Sequence, residues 1–157
     1  MIMDKKIRAV GVVIKDKELL VMWRKRPEKE YYTFPGGGVE EGEKVQDAVV
    51  RELLEETSVQ VKIKKLLYHV KYSDGSEQCF YLCDYVSGEL ALGEFNEKLR
   101  MDQGHSLYRP MWVSLENVVD ILLYPLEVRD WLIDDSEDGF IKTPRNASFN
   151  LDDLRQN

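Results

Sequence analysis

The stretch 44–57 contains neither glycine nor proline and ends at Thr57-Ser58, so it predicts a helix more clearly than any other part of the chain. Its apolar side chains share one arc of the helical surface. Three glutamates, Glu52, Glu55 and Glu56, share a different arc, because residues three and four apart lie side by side on a helix. The helix therefore has one face for a core and one strongly acidic face.

The acidic face is unfavourable for an isolated helix. Like charges three or four residues apart each destabilise a helix by roughly 0.2–0.5 kcal/mol, and Arg51 can offset only part of this by pairing with Glu55. The glutamates also lie late in the helix, where the helix dipole favours cations. A solvated acidic surface is the ordinary interpretation. A site for a hard divalent cation, which takes carboxylate oxygens, is the alternative.

Charge is unevenly distributed along the chain. Its 157 residues include 22 Lys+Arg and 29 Asp+Glu, a formal net charge of −7. Residues 40–56 alone carry −5, whereas residues 1–30 carry +4. The length and the 43% hydrophobic content predict one domain with a substantial core, which excludes a wholly disordered chain. The predicted helix and the residues just before it thus concentrate a net charge of −5 in 17 residues, and the residues outside both segments carry the other −6.

Runs of β-branched and aromatic residues surround the helix. The runs 7–14 and 18–23 predict a hairpin, followed by a charged loop at 24–30 and a short aromatic strand at 31–34. Further strands are predicted at 59–70, 78–86 and 108–113, with short helices opening at 114–116 and at 125–133. Strands that alternate with a few helices predict a mixed α/β domain.

A run of three glycines, Gly36, Gly37 and Gly38, separates the aromatic strand from the helix. Successive glycines argue against regular structure and supply a backbone that is free to adopt positive φ. We therefore expect an irregular loop here.

The remaining composition indicates a soluble, cytoplasmic protein. No apolar run approaches the roughly 20 residues that span a bilayer, and the N-terminus lacks the apolar stretch of a signal peptide. Cys79 and Cys83 lie about 13 Å apart along one predicted strand, beyond the ~7 Å limit for a disulfide. We expect both to be reduced, buried thiols.

Residues 37–59 resemble the signature of the Nudix hydrolases, the MutT-like proteins. Gly37 is followed after five residues by Glu43, and Glu43 after seven residues by the run Arg51-Glu52-Leu53-Leu54-Glu55-Glu56-Thr57-Ser58-Val59. The match covers 23 of 157 residues and is specific, and the flanking elements extend the resemblance loosely to residues 5–133. It implies an α/β/α sandwich with a mixed β-sheet, and it favours the metal site over the solvated acidic face.

One position departs from the signature. The family has Gly where this chain has Ser58, just past the helix, where a left-handed C-cap is common. A residue with a side chain there costs on the order of 1 kcal/mol. The departure concerns the geometry of the helix exit more than the chemistry.

The resemblance implies hydrolysis of a phosphoanhydride in a nucleoside diphosphate linked to another group, such as a nucleoside triphosphate or a nucleotide sugar. Mg²⁺ or Mn²⁺ would neutralise such a substrate and activate water. The implied metal ligands are Glu52 and Glu56, with Glu55 sharing ligation or acting as general base and the Gly36 carbonyl as a further ligand. The catalytic set is completed by Glu43 and Arg51, which brace the carboxylates.

Other assignments are less specific. In this family a later loop can supply the base, and Glu94 and Glu97 are the candidates, although two solvated loop acids are the ordinary interpretation. The residues assigned to substrate binding are Arg24, Arg26, Tyr32 and Gly37. The basic residues form no stripe with interleaved aromatics in the sequence, which argues against a nucleic-acid partner. We expect a small-molecule nucleotide as substrate and no membrane partner, and we leave open a homodimer.

Residues 134–157 lie outside the resemblance. They are polar, with scattered apolar residues that include Phe149, Leu151 and Leu154. We expect residues 1–133 to form the Nudix domain and this C-terminal extension to pack on the domain or on a second subunit. The missing Gly at position 58 and the absence of recognisable subgroup markers keep a second interpretation open. In it, the chain is a catalytically silent nucleotide-sensing or protein-binding module on the same fold.

Overall fold

The computed structural model describes residues 6–90 and 107–154, which form a curved, mixed β-sheet with helices packed against it. Its strands are β1 (Ile7–Lys15), β2 (Glu18–Arg26), β3 (Lys29–Thr33), β4 (Gly36–Gly38), β5 (Gln60–Tyr72), β6 (Glu77–Ser87), β7 (Leu107–Ser114), β8 (Leu123–Tyr124) and β9 (Arg145–Phe149). Its helices are α1 (Val45–Thr57), a 3₁₀ helix at Leu115–Asp120, α2 (Leu126–Glu137) and the one-turn α3 (Leu151–Leu154).

The sheet combines parallel and antiparallel pairs. Its strand order is β8-β3-β2-β1-β6-β5-β9, with β4 also paired to β1 and β7 to β2. The central β1 is parallel to β6 and antiparallel to β2 and β4. The predicted mixed α/β class is therefore confirmed.

Two hydrophobic clusters lie on the two faces of the sheet, as the alternation along β1 shows. Val10 and Val12 belong to the cluster that includes Val128 and Leu132 of α2. Ala9 and Val13 belong to the cluster that includes the apolar residues of α1. Successive side chains of a strand point to opposite faces, so the sheet is sandwiched between helical layers. This is the expected α/β/α arrangement.

Helix α1 lies very close to β1. A Cβ added to Gly11 would come within 2.6–2.7 Å of the Leu53 methyl groups, so only glycine allows this approach. The helix ends at Ser58, which adopts the left-handed conformation with φ 66° and donates its N–H to the Leu54 carbonyl. The residue after the helix thus has the left-handed conformation expected at this position, although it is a serine and not the glycine that adopts this conformation without strain.

The expectation of an irregular glycine loop is wrong. Gly36, Gly37 and Gly38 form strand β4, which pairs antiparallel with Val10, Ala9 and Arg8 of β1. None of the three has positive φ. Their lack of a side chain serves close packing instead, because a Cβ on Gly36 would lie 2.3 Å from the Ala9 carbonyl oxygen.

Two other segments are more regular than the sequence predicts. Strand β2 continues to Arg26 and β3 begins at Lys29, so the charged loop shrinks to a turn. Beyond residue 133, α2 continues to Glu137, and β9 pairs in parallel with β5. The Phe149 ring stacks on Trp131 at a centroid distance of 6.1 Å. The C-terminal segment is therefore part of the sheet.

Cys79 and Cys83 are both free thiols, as predicted, and Cys83 is buried whereas Cys79 is half-buried. Burial raises the pKa of the Cys83 thiol to about 12. Across residues 6–90 and 107–154, no helix has the length and apolar character needed to cross a membrane.

Candidate active site

The acidic face of α1 lies against the glycines of β4. A Cβ on Gly37 would fall 2.3–2.5 Å from the carboxylate atoms of Glu52, so that carboxylate occupies the space a side chain would need. The Gly36 N–H donates a hydrogen bond to Glu56 Oε2 at 3.3 Å. The strand and the helix together form a backbone cradle for these two carboxylates.

Arg51 connects the acids of this region. Its guanidinium donates to both carboxylate oxygens of Glu43, at 2.8 and 2.9 Å, and to Glu52 Oε1 at 3.0 Å. It also contacts Glu55 Oε2 at 3.3 Å and donates to the Gly38 carbonyl at 3.0 Å. A planar guanidinium holds a bidentate partner in a fixed orientation, so Arg51 fixes the acidic face relative to β4.

The Arg51–Glu43 pair shifts the protonation of both groups. Hydrogen bonds from Arg51 and from the Glu40 N–H hold the pKa of Glu43 at about 2. The Glu43 carboxylate in turn raises the pKa of Arg51 above its ordinary value. Glu43 is therefore a permanent anion over the ordinary pH range, and its geometry is that of a bracing group.

Glu56 lies in a different environment from its neighbours. Burial raises the pKa of this carboxyl, and the nearby Arg8 guanidinium and the Gly36 N–H oppose that shift. Burial lowers the pKa of Arg8, while the charge of Glu56 raises it. Glu56 and Arg8 are both half-buried, and a carboxylate and a guanidinium in such a setting supply the two charges that a metal and a phosphate group require.

Glu55 is more exposed than the other glutamates of the acidic face. Its side chain is 58% exposed, whereas that of Glu52 is 15% exposed. Solvent therefore reaches the Glu55 carboxylate freely. The Arg51 contact with Glu55 is the i,i+4 pair predicted from the sequence.

The carboxylates of the acidic face lie apart from one another. Within the part of the chain that the structure describes, no three carboxylate, imidazole or thiol groups converge closely enough to form a metal cluster. Glu52 and Glu56 instead accept hydrogen bonds from Arg51 and Gly36. Carboxylate oxygens beside an open glycine backbone are nevertheless the donors that Mg²⁺ and Mn²⁺ prefer. The chemistry of the set fits a hard divalent cation.

A cavity of about 320 Å³ is lined by Arg8 and Arg24, the two guanidinium groups whose charges act on Glu56. Its wall includes two guanidinium groups, a hydroxyl, an amide and two tyrosine rings: Arg8, Arg24, Thr33, Gln78, Tyr31 and Tyr124. Arg24 donates its Nε–H to Thr33 Oγ1 at 2.9 Å, which fixes the guanidinium at the wall. The cavity is thus suited to a polyanion.

Sequence reasoning placed only part of this cavity. Arg24, which the sequence assigns to substrate binding, lines the cavity. Tyr32, assigned in the same way, does not line the cavity, because it packs against the main hydrophobic cluster. Its neighbour Tyr31 faces the cavity instead. Arg8 and Gln78 were missed. The available signal for Arg8 was a lone arginine within the otherwise apolar stretch 7–14. Glu94 and Glu97 lie outside the described residues.

Cations lie beside aromatic rings on one face of β2, β3, β7 and β8. Arg24 lies over Tyr108 at 5.1 Å, Arg26 over Tyr31 at 5.9 Å, and Lys29 over Tyr124 at 4.5 Å. We call these six residues the basic–aromatic surface. The sequence shows no such stripe, because the cross-strand pairing of distant segments assembles it. Basic and aromatic residues are therefore interleaved in the folded chain, and their separation in the sequence does not argue against a nucleic-acid partner.

The family model of the NUDIX domain matches residues 5–133. With the glycine cradle, the Arg51-centred acids and the sandwiched sheet in place, the chain belongs to the NUDIX domain family.

Relatives and solved structures agree with this membership. The chain is 38% identical over 90 residues to an ADP-ribose pyrophosphatase of Methanocaldococcus jannaschii, a match that covers 54% of this chain and 53% of that protein. It therefore spans about half the length of that relative. It is 30% identical over 129 residues to an RNA pyrophosphohydrolase of Hydrogenovibrio crunogenus, covering 71% of this chain and 78% of the relative.

The crystal structure of a NUDIX hydrolase from Nitrosomonas europaea aligns with 96% of this chain and 81% of its own length. Its TM-score is 0.67 at 16% sequence identity, so it supports the fold alone.

Proposed function

We propose that this chain is a divalent-metal-dependent pyrophosphohydrolase that cleaves a phosphoanhydride bond in a nucleotide. The observation that carries the proposal is the placement of the Glu52 and Glu56 carboxylates against the β4 glycines, directly beside a cavity lined by Arg8 and Arg24. Carboxylates that can bind a metal lie beside guanidinium groups that can bind phosphate. This is the arrangement that a substrate bound as a metal–phosphate complex requires. One relative is named an ADP-ribose pyrophosphatase and another an RNA pyrophosphohydrolase, which agrees with this class.

In this proposal the acidic face holds the metal. Glu52 and Glu56 are the ligands, with Glu55 or the Gly36 carbonyl completing the protein's share. When bound, Mg²⁺ or Mn²⁺ would neutralise phosphate charge and activate water. Because Gly36 and Gly37 lack side chains, the metal and the phosphates can approach the backbone of β4 closely.

The remaining residues position the substrate and transfer the proton. Arg8 and Arg24 bind phosphate oxygens in the cavity, where charge-assisted hydrogen bonds are strongest. Glu55 is the candidate general base that takes a proton from the attacking water onto its carboxylate oxygen, and it returns that proton to solvent through its exposed side. Arg51, fixed by Glu43, keeps the acids in register during these steps.

A nucleotide panel tests this function. Nucleoside triphosphates, nucleotide sugars, ADP-ribose and a 5′-triphosphorylated oligonucleotide are incubated with the protein and with Mg²⁺, Mn²⁺ or EDTA, and the products are separated. We expect at least one substrate to yield products split at a phosphoanhydride only when metal is present. Nucleotide binding without turnover across the panel would instead support the catalytically silent module.

A second candidate substrate is the 5′ end of an RNA chain. The basic–aromatic surface begins at the cavity with Arg24 and continues to Arg26 and Lys29, and guanidinium planes and aromatic rings are the groups on which unpaired bases stack. A relative that covers most of this chain is named an RNA pyrophosphohydrolase. Arg26→Ala separates the two candidates, since Arg26 belongs to the surface and does not line the cavity. Its loss would weaken activity on the oligonucleotide and spare mononucleotides.

A further inference from the structure

The cavity beside the acidic face continues into a second one. The second cavity, of about 340 Å³, shares Gln78, Tyr124 and Pro125 with the first, so the two form one cleft with two limbs. We call the part with Arg8 and Arg24 the charged limb. The other part is lined mainly by Tyr72, Tyr124, Pro125, Leu126 and Leu151, and we call it the apolar limb.

The C-terminal segment forms one wall of the apolar limb. Leu151 belongs to α3, which lies beyond the residues that the family model matches. The Leu151 N–H donates to Ser73 Oγ at 3.0 Å, and the Ser73 N–H donates to the Phe149 carbonyl at 3.0 Å. These bonds fix α3 to the hairpin between β5 and β6, so Leu151 is a fixed part of the wall.

An ion pair between the half-buried Arg145 and the buried Asp135 anchors the same segment further back. Arg145 of β9 donates through Nε and Nη2 to both oxygens of Asp135, which is fully buried in α2. The Tyr68 hydroxyl donates to the same carboxylate at 2.8 Å. Because β9 is held at both ends, substrate entering the cleft meets a preformed surface.

The apolar limb also presents one carboxylate. Glu127 is half-buried at its wall and, within the described chain, makes no hydrogen bond or ion pair. Tyr72 and Glu127 line the same cavity, and burial together with this carboxylate raises the pKa of Tyr72 to about 12. Gln78 donates its amide to the Tyr72 hydroxyl at 3.2 Å. An anion among apolar walls repels phosphate and accepts hydrogen bonds from a neutral group.

We propose that the apolar limb holds the non-phosphate end of the substrate, with Leu151 of the C-terminal segment limiting its size and Glu127 accepting hydrogen bonds from adjacent donors on it. This inference rests on the proposed function, because it assigns the phosphates to the charged limb. Two groups of a nucleotide have suitable neighbouring donors: the vicinal diol of a ribose and the amino–imino edge of a base. A second anionic group at this end would be rejected.

Binding of a non-hydrolysable nucleotide tests the proposal without requiring turnover. The dissociation constants of methylene-bridged diphosphate analogues are measured by calorimetry in the presence of Mg²⁺. Leu151→Trp, which fills the apolar limb, and Glu127→Gln, which removes the anion, should each weaken binding roughly 10-fold or more. Ile141→Trp, on an exposed residue of the same C-terminal segment, and Glu137→Gln, on an exposed residue of α2, are the matched controls and should bind as the wild type does.

A comparison of ribonucleotide with 2′-deoxynucleotide analogues distinguishes the two groups that Glu127 could bind, the ribose diol and the base edge. If Glu127 binds the ribose diol, Glu127→Gln should lose affinity for ribonucleotides and not for 2′-deoxynucleotides. If it binds a base edge, the loss should persist in the deoxy series and vary among bases. Equal affinity of Leu151→Trp, Glu127→Gln and the controls would overturn the inference, as would a wild type that binds none of the analogues. Hydrolysis of the panel by such a protein would still support the proposed function.

Discussion

At the scale of single residues, the contact between Gly37 and Glu52 makes the sharpest prediction. Gly37→Ala would drive a methyl group into the Glu52 carboxylate and displace it, so activity should fall by about 10- to 100-fold. Gly38→Ala is the matched control, because no atom lies within 4 Å of the added Cβ. Its kcat/KM should remain near that of the wild type. Equal activity of the two variants would show that the glycine cradle does not hold a functional carboxylate.

The left-handed Ser58 provides a test of stability. Ser58→Gly should raise the free energy of unfolding by about 0.5–1 kcal/mol, because glycine adopts φ 66° without a Cβ clash. For a chain of this size the melting temperature should rise by roughly 2 °C. Ser58→Ala keeps the clash and should show no gain. A melting temperature that stays level or falls in Ser58→Gly would mean that the left-handed cap carries no strain.

The Arg51–Glu43 pair predicts a pH dependence. The pKa of Glu43 is about 2 in the folded chain against an ordinary value of 4.5, so the unfolded chain binds the extra proton between these pH values. The stabilisation by Glu43 is therefore complete above about pH 4.5 and lost as the pH falls towards 2. Glu43→Gln should be less stable at pH 7 and should show a shallower decline over this window in urea unfolding. Glu41→Gln, which alters an exposed carboxylate, is the control; parallel curves for wild type and Glu43→Gln would contradict the account.

Among the elements, helix α1 could be predicted from its own stretch of sequence alone. Its apolar arc, its absence of glycine and proline and the glutamate spacing all lie within the stretch 44–57. The i,i+4 contact between Arg51 and Glu55 follows from the same spacing. Strand β4 was missed because nothing in three glycines favours a strand. The three glycines form a strand because they pair with β1, which lies more than 25 residues earlier in the chain.

The cavity and the C-terminal segment also depend on contacts between distant parts of the chain, which the local sequence does not show. Alternation along a strand decides whether Tyr31 or Tyr32 faces the cavity, and a one-residue difference in register reverses the answer. Arg8 and Gln78 come together only through the parallel pairing of β1 with β6. Strand β9 likewise depends on β5, more than 70 residues away, and the buried position of Asp135 within an acidic run has no local signal.

The contact between α2 and β9 predicts a large stability effect. Arg145→Met leaves the fully buried Asp135 without its cationic partner, so the free energy of unfolding should fall by about 3 kcal/mol in urea titration. Lys142→Met is the control, since its contact with Asp138 is long, at 3.9 Å, and exposed. That variant should lose no more than about 1 kcal/mol. Equal decreases in the free energy of unfolding in both variants would mean that the Arg145–Asp135 pair does not anchor the C-terminal segment.

At the scale of the whole molecule, charge of opposite sign is grouped on two neighbouring surfaces. The acidic face of α1 lies against β4, and the basic residues of β1 and β2 line the adjoining cleft. A metal on the acidic face would bring that segment close to neutrality and complete a binding surface for phosphates. The acidity is therefore concentrated where the proposed chemistry requires it.

The dependence of the initial rate on Mg²⁺ concentration tests this account most directly, using the best substrate of the panel. The wild type should show a saturable requirement for metal, and Glu56→Gln should lose about 100-fold or more of its kcat/KM, because metal stabilisation of the transition state amounts to several kcal/mol. Glu41→Gln, with the same charge change at an exposed site, should behave as the wild type. A rate that is independent of metal, or equal losses in Glu56→Gln and Glu41→Gln, would contradict the assignment of the acidic face as the metal site.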